Sequence, residues 1–283
     1  SAVNLRENPH ALPIAFGANA AILHLQRMTM DPLNYQSQTF QTLAGRPTFH
    51  SLFAVQNFNS VKFNNVQSAK QITGTIFRKQ NLLKPASVQL EFIPPTNDSY
   101  YLTLGPSVED NATITMNNKK FTQYDTFRNT VVINVAHDQK GQKIIVNLQL
   151  KKATLWMQNV SIYQLKQRPF MASLKTLQES ALKISSYRSN QLIGTVNLHR
   201  NQRVLMTTIP AAKGWHVKVD GKSTTPQTVL NTFMAIPMSP GKHRVEFYYR
   251  PPFLILGLII TVISFGLTGW WVKKEHQTRT MFD

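Results

Sequence analysis

From Phe253 to Val272 the chain reads FLILGLIITVISFGLTGWWV, 20 residues without a charge. At about 1.5 Å of rise per residue, a helix of that length covers roughly 30 Å, the thickness of a bilayer's hydrocarbon core. Pro251 and Pro252 stand just ahead of it, where proline suits a first helical turn. Trp270 and Trp271 fall near the far end, at the depth where aromatic belts form, and Lys273 and Lys274 follow at once. A core helix would be shorter and better punctuated. Residues 251–273 are therefore predicted to cross a membrane, leaving a short tail, 274–283.

Charge alone orients this helix weakly. Lys242, Arg244 and Arg250 precede it, and Lys273, Lys274 and Arg279 follow. The lysines that abut the span favour a cytoplasmic tail, with residues 1–250 outside the cell membrane. Within the span, Gly257, Thr261, Ser264 and Thr268 recur at i, i+4, i+7 and i+11. Such a stripe of small residues lets another helix approach closely in lipid. The opening SAVNLRENPH has neither a basic n-region nor an apolar h-region. Delivery is thus expected to depend on helices encoded before Ser1, with tail anchoring of a cytosolic protein as the alternative.

The remaining length suits roughly two domains. With 42% hydrophobic residues the chain has ample material for packed cores, which excludes wholesale disorder. Cysteine is absent, which removes disulfides, thiolate zinc sites, iron–sulfur clusters and cysteine nucleophiles together. Residues 1–45 read as an irregular N-terminal segment with the apolar stretch Ala11–Phe16 and one helix. In that helix Asp31 caps, Pro32 takes the first position, Leu33, Phe40 and Leu43 share a face, and Gly45 ends it.

From 46 to 168 the pattern alternates with period two. Strand-like runs cover 88–93, 100–104, 112–116, 131–135, 143–148 and 156–163, with Asn117-Asn118 and Lys140-Gly141 as turns. Many short strands at close spacing predict a β-sandwich of jelly-roll type. Phe170, Leu174, Leu177, Ala181 and Ile184 then form an apolar stripe at helical spacing, predicting a connecting amphipathic helix over 169–190. Alternation resumes through 191–250, a second and smaller β-sandwich. There Val219-Asp220-Gly221-Lys222 signals a hairpin, because Asp-Gly fits a type I′ turn. The fold class is mainly β: two sandwiches, a connecting helix and a terminal span.

Candidate chemistry is sparse. The eight histidines show no His-x-His or His-Glu-x-x-His spacing, no glycine-rich phosphate loop occurs, and no cofactor or metal site is expected. Glu109-Asp110 beside Asn111 reads as a turn, and Ser185-Ser186 has no local base. Sugars stack on exposed aromatic faces, which makes Trp156, Trp215, Tyr100, Tyr101 and Phe127 the candidate glycan contacts, although strands also bury alternate aromatics in their cores.

The run Ile209-Pro-Ala-Ala-Lys-Gly-Trp-His-Val-Lys-Val-Asp-Gly-Lys222, followed by Phe233–Met238, Pro240–His243, Tyr249-Arg-Pro-Pro252 and the span, resembles the C-terminus of the YfhO family of bacterial membrane proteins. Glu7–Gly17, Asp31–Gln36 and Leu43–Gly45 are similar to that family as well. The resemblance implies a polytopic glycosyltransferase of the GT-C type, using a polyprenyl-phosphate sugar and decorating lipoteichoic acid or another envelope glycopolymer. It implies further helices and an acidic catalytic loop ahead of Ser1. No catalytic residue maps onto this chain, because the matched motifs are turns, caps and strand edges.

Net charge points the same way. Of 31 Lys+Arg and 13 Asp+Glu, 28 and 11 precede Lys273, an excess of 17 positive charges. Such a field attracts polyanions and weakens with salt. Lys119-Lys120 and Lys151-Lys152 are the paired bases. No basic helix, helix-turn-helix or RNP-like aromatic set is visible, so nucleic acid is not expected as a partner. The expected partners are the bilayer, upstream transmembrane helices, and an anionic envelope polymer such as teichoic acid. A non-catalytic anchored module that binds such a polymer, or a partner protein, is the alternative.

Overall fold

A computed structural model describes residues 8–26, 31–46, 51–105, 108–120, 130–158 and 160–279, with backbone alone at 109 and 274–279. The chain divides into two units, His24–Thr176 and a second that joins Ser1–Leu23 to Leu177–Asp283.

The His24–Thr176 unit begins with the helix Pro32–Leu43. Its first free amides are met by the Asp31 carboxylate, which accepts from Leu33 N and Asn34 N at 2.9 Å each. Leu33 and Leu43 are buried, and Phe40 stacks on Phe170 with centroids 5.0 Å apart.

Three antiparallel sheets follow. One runs Val131–Ala136, Tyr100–Leu104, Ser161–Leu165, Phe53–Gln56 in space; the next Ser60–Asn64, Ser87–Phe92, Ile144–Leu150, Ala112–Met116, Lys119–Lys120; the third Thr154–Gln158, Gly74–Lys79, Val66–Lys70. Alternation does what it predicts: Ile144, Val146, Leu148 and Leu150 are buried, and the residues between them face the other way. Their faces meet Val88, Leu90, Leu102, Leu104, Ile114 and Leu155 in one core. Each fully buried side chain of this kind contributes about 1.5–3 kcal/mol. Asn117 and Asn118, at φ 47° and 65°, form the expected tight turn.

The second unit holds two more antiparallel sheets. One is ordered Ala15–Ala18, Val204–Pro210, Phe233–Pro237, Gln227–Val229; the other Lys183–Arg188, Gln191–Leu198, Gly241–Tyr249, Trp215–Val219, Lys222–Thr224. Leu192, Val196, Leu205, Val217, Ile236, Val245 and Phe247 form the core between them. Asp220 (φ 50°) and Gly221 (φ 80°) make the type I′ turn expected from the sequence.

Three features depart from the sequence reading. The run 156–163, read as one strand, is two, because Thr154–Gln158 pairs with Gly74–Lys79 and Ser161–Leu165 with Tyr100–Leu104 in a different sheet. Ala15–Ala18, read as part of an irregular segment, is a wholly buried strand registered Phe16 to Met206. Gln202 locks it: its Nε2 donates to Gly17 O at 3.0 Å, while its Oε1 accepts from Ser180 Oγ at 2.7 Å and His199 N at 2.8 Å. The connecting helix spans Gln167–Glu179 instead of 169–190, and Lys183–Arg188 is a strand. Phe170, Leu174 and Leu177 obey the helical stripe, but Ala181 bridges to Phe16 and so leaves the helix. Ile184 then sits half exposed on an edge strand beside a bulge, where its β-branch is favoured.

The chain ends in the helix Leu254–Arg279. Its stretch Leu254–Lys273 has a mean hydropathy of 2.0 and is buried nowhere. Every large apolar residue from Phe253 to Val272 is at least 49% exposed. Water would not tolerate that surface; a bilayer would. The hydroxyls of Thr261, Ser264 and Thr268 need no outside partner. Thr261 Oγ1 donates to Gly257 O at 2.8 Å, Ser264 Oγ to Ile260 O at 2.8 Å, and Thr268 Oγ1 to Ser264 O at 2.9 Å.

Candidate functional site

The strand Gly241–Tyr249 runs into the membrane helix through only Arg250-Pro-Pro-Phe253. Whatever its last residues carry is therefore held close to the span, since four residues reach at most about 14 Å. Its neighbour, Trp215–Val219, is registered Trp215 to Tyr249, His216 to Tyr248, Val217 to Phe247 and Lys218 to Glu246. Period two sorts these pairs onto opposite faces. Val217 and Phe247 point into the core, and Trp215 packs against it, edge-on to Tyr249 with centroids 5.2 Å apart.

On the other face, His216 stacks on Tyr248 with centroids 5.1 Å apart and planes 15° from parallel. Two cations lie over the Tyr248 ring: Lys218 Nζ at 5.8 Å and Arg250 Cζ at 5.4 Å from its centroid. Each such contact is worth roughly 0.5–1 kcal/mol at an exposed site. Beside them opens a pocket of about 250 Å³, lined by Trp215, His216, Tyr248, Ser223, Thr224 and Thr225 together with Val217 and Pro226. Arg244 and Glu246 pair on the neighbouring strand positions.

No carboxylate is among the described residues lining this pocket. The arrangement offers two positive charges for an anion, hydroxyls for polar edges, and an aromatic face. That combination has the chemistry to hold an anionic, hydroxyl-bearing ligand. Among the described residues there is also no group of three His, Cys, Asp or Glu able to hold a metal ion.

The hairpin on the same sheet is tied by charge. Asp220 Oδ2 bonds His243 Nδ1 at 2.7 Å, and its Oδ1 accepts from Arg244 N at 2.9 Å. The bond from His243, then the one from the Arg244 amide, hold the Asp220 carboxyl below its usual range. In the other unit Glu91 is held low by Lys143, 3.0 Å away, with Lys62 at 3.6 Å. Burial and the neighbouring Asp31 push the Tyr163 hydroxyl up.

The other candidates scatter. Tyr100 is wholly buried, its OH 2.7 Å from Thr96 Oγ1, so it has no face for a sugar. Tyr101 is half-buried and edge-on to Phe53. Trp156 is 40% exposed on the outer face of a three-stranded sheet, opposite Ile76 and next to the Thr154–Arg78 pair. Phe127 lies outside the described residues. Lys119 and Lys120 form an exposed edge strand, and Lys151 and Lys152 an exposed turn. The structure does not gather these lysines with the aromatics into one site. Trp215, one of the rings the sequence reading offers to a ligand, pairs with Tyr249 against the core, and the neighbouring pair His216 and Tyr248 carries the outward face. The cue was available in the alternation of Val217 and Phe247 with His216 and Tyr248.

Two β-sandwich units and an exposed apolar C-terminal helix define a membrane-anchored β-rich protein. The profile of the family described as bacterial membrane protein YfhO matches residues 1–261, and the chain belongs to that family. "Uncharacterized protein YfhO" of Bacillus subtilis (strain 168) is 25% identical over 169 residues, which is 59% of this chain and 19% of that protein. The chain thus spans less than a fifth of the length of this curated relative. Among solved structures, a β-glucuronidase from Ruminococcus gnavus in complex with D-glucuronic acid is 10% identical, with a TM-score of 0.23 over 59% of this chain and 34% of that one. An uncultured Clostridium sp. β-glucuronidase is 10% identical, with a TM-score of 0.28 over 72% of this chain and 44% of that one. Likeness at that level says nothing about activity.

Proposed function

We propose that this chain is the extracytoplasmic, membrane-anchored part of a larger GT-C type glycosyltransferase, and that it holds an anionic envelope glycopolymer, such as lipoteichoic acid, beside membrane-embedded catalytic machinery fed by a polyprenyl-phosphate sugar. Residues 1–250 face outward, and the tail 274–283 lies in the cytoplasm. The observation that carries this reading is the Tyr248 ring, flanked by Lys218 and Arg250, four to six residues before the span. A polymer of repeating phosphates and polyols matches cations, an aromatic face and the Ser223–Thr225 hydroxyls together. The small-residue stripe Gly257, Thr261, Ser264 and Thr268 would pack the span against the enzyme's other helices.

The test pairs binding with activity. The chain in nanodiscs should bind lipoteichoic acid with an affinity that falls steeply with salt, and Tyr248→Ala with Arg250→Gln should weaken it about tenfold or more. In the full-length protein the same substitutions should cut polymer glycosylation while leaving membrane insertion intact. Unchanged glycosylation with lost binding would favour a non-catalytic anchored module. Unchanged binding would refute both.

A further inference from the structure

The turn Gln80–Ala86 in the His24–Thr176 unit holds two adjacent leucines in water. Leu82 is 67% exposed and Leu83 96%. Scattered apolar residues on a surface need no explanation; a pair carried at a rigid tip does. Asn65, at φ 52°, builds the tip. Its Nδ2 donates to Asn81 O at 2.8 Å, Lys84 O at 3.1 Å and Pro85 O at 3.2 Å, and its Oδ1 accepts from Asn81 N at 2.8 Å. Asn81 Oδ1 in turn accepts from Leu83 N at 2.9 Å. These bonds shape the loop and leave its two leucine side chains exposed at the tip.

Four lysines lie on the backbone that adjoins that tip. Lys79 and Lys84 flank the leucines in sequence. The exposed turn bearing Lys151 and Lys152 is fastened alongside, because Lys79 N donates to Ala153 O at 2.9 Å and Leu150 N to Ala86 O at 2.9 Å. Lys151 N also donates to Asn111 O at 2.8 Å, which brings the helical turn Val108–Asn111, with Asp110, next to the lysine pair. Two exposed leucines with four lysines on the adjoining backbone match an anionic bilayer surface: the acyl region takes the leucines and the headgroup phosphates take the lysines. The chain carries a helix long and apolar enough to cross a bilayer, Leu254–Lys273, which makes a lipid surface a fitting chemical partner for such a tip on the same polypeptide.

We infer that the Leu82–Leu83 loop is a second membrane contact, a tip that docks the His24–Thr176 unit onto the headgroup layer of anionic lipid. This assignment does not depend on the polymer-binding reading, which concerns the other unit.

The absence of cysteine makes the test direct. In the full chain, Gln80→Cys places one environment-sensitive dye on the shoulder of the tip. Ile72→Cys places it on an equally exposed turn at the other end of the strand Gly74–Lys79, about 20 Å away. Both are reconstituted into phosphatidylcholine vesicles, with and without phosphatidylglycerol. With phosphatidylglycerol, the dye at 80 should shift to the blue and be quenched by spin-labelled acyl chains, and the dye at 72 should report water. Lys84→Gln with Lys152→Gln should lower the docked-to-free ratio about 25-fold, near fivefold per lysine. Leu82→Ser with Leu83→Ser should abolish quenching. Water at both positions overturns the assignment. So does a shift at 80 that ignores phosphatidylglycerol and escapes the acyl-chain quencher, which would identify a protein neighbour instead.

Discussion

Gly214 precedes Trp215 and lies against the last residues before the membrane. A Cβ added there would fall 2.4 Å from Tyr249 Cε2 and 2.6 Å from Arg250 O. Ordinary contacts begin near 3.4 Å, so the ring and the backbone must each retreat by roughly an ångström. Arg250 N donates to Gly214 O at 2.9 Å, so that retreat also loosens the end of the strand that feeds the span. Overpacking of this kind costs about 1–3 kcal/mol, and disturbing the edge-on Trp215–Tyr249 pair adds about 0.5–1.5 kcal/mol. Against this, replacing glycine stiffens the unfolded chain and returns about 0.4–1 kcal/mol. Gly214→Ala should therefore destabilise the second unit by about 1–3 kcal/mol, a large share of a domain's usual margin.

Hydrogen exchange in the full chain reads this locally. Peptides from Gly241–Tyr249 should exchange about fivefold faster or more, while those from Ile144–Leu150 in the other unit keep their protection. Unchanged protection in both strands, or equal loss in both, would refute the argument that Gly214 is required by close approach at the Tyr249 junction.

Other outcomes follow from named contacts. Tyr100→Phe removes a buried hydroxyl from Thr96, so it should cost the first unit about 1 kcal/mol in denaturant titration and leave polymer binding unchanged; Tyr248→Ala should do the reverse. Because the Asp220 carboxyl is held low in the folded state, its contribution is complete above the ordinary carboxylate range and is lost as pH falls through the depressed value. Asp220→Asn should therefore lower the melting temperature at neutral pH and converge with the parent chain in strong acid. Thr261→Val should leave insertion and melting within about 0.5 kcal/mol, because its hydroxyl is satisfied inside the helix, whereas Gly257→Leu should reduce cross-linking of the span to neighbouring helices by filling its small-residue face.

Much of this architecture is legible without coordinates because it depends on short-range physics. The span is a matter of length and charge, the Pro32–Leu43 helix of its Asp31 cap, and the Asp220-Gly221 hairpin of two residues that accept positive φ. Period-two runs announce strands and their buried faces. The strand Ala15–Ala18 was not legible, because four small or apolar residues carry no period and their partner, Val204–Pro210, lies far along the chain. The helix end at Glu179 was hidden for a related reason: Ala181 and Ile184 continue the spacing by coincidence, and a long-range bridge to Phe16 decides otherwise. Among the aromatics, composition could not separate Tyr100 in the core from Tyr248 on the surface.

The amino-acid order by itself fixes the membrane helix, the β character and the surplus of positive charge, since each is a sum over neighbouring residues. Only the tertiary structure decides that residues from both ends of the chain complete one sandwich, that Tyr248 gathers His216, Lys218 and Arg250, and that Lys151 and Lys152 stand beside Leu82 and Leu83. Those groupings depend on which strands pair across long loops, and that is settled by the burial of whole sheet faces rather than by any local preference.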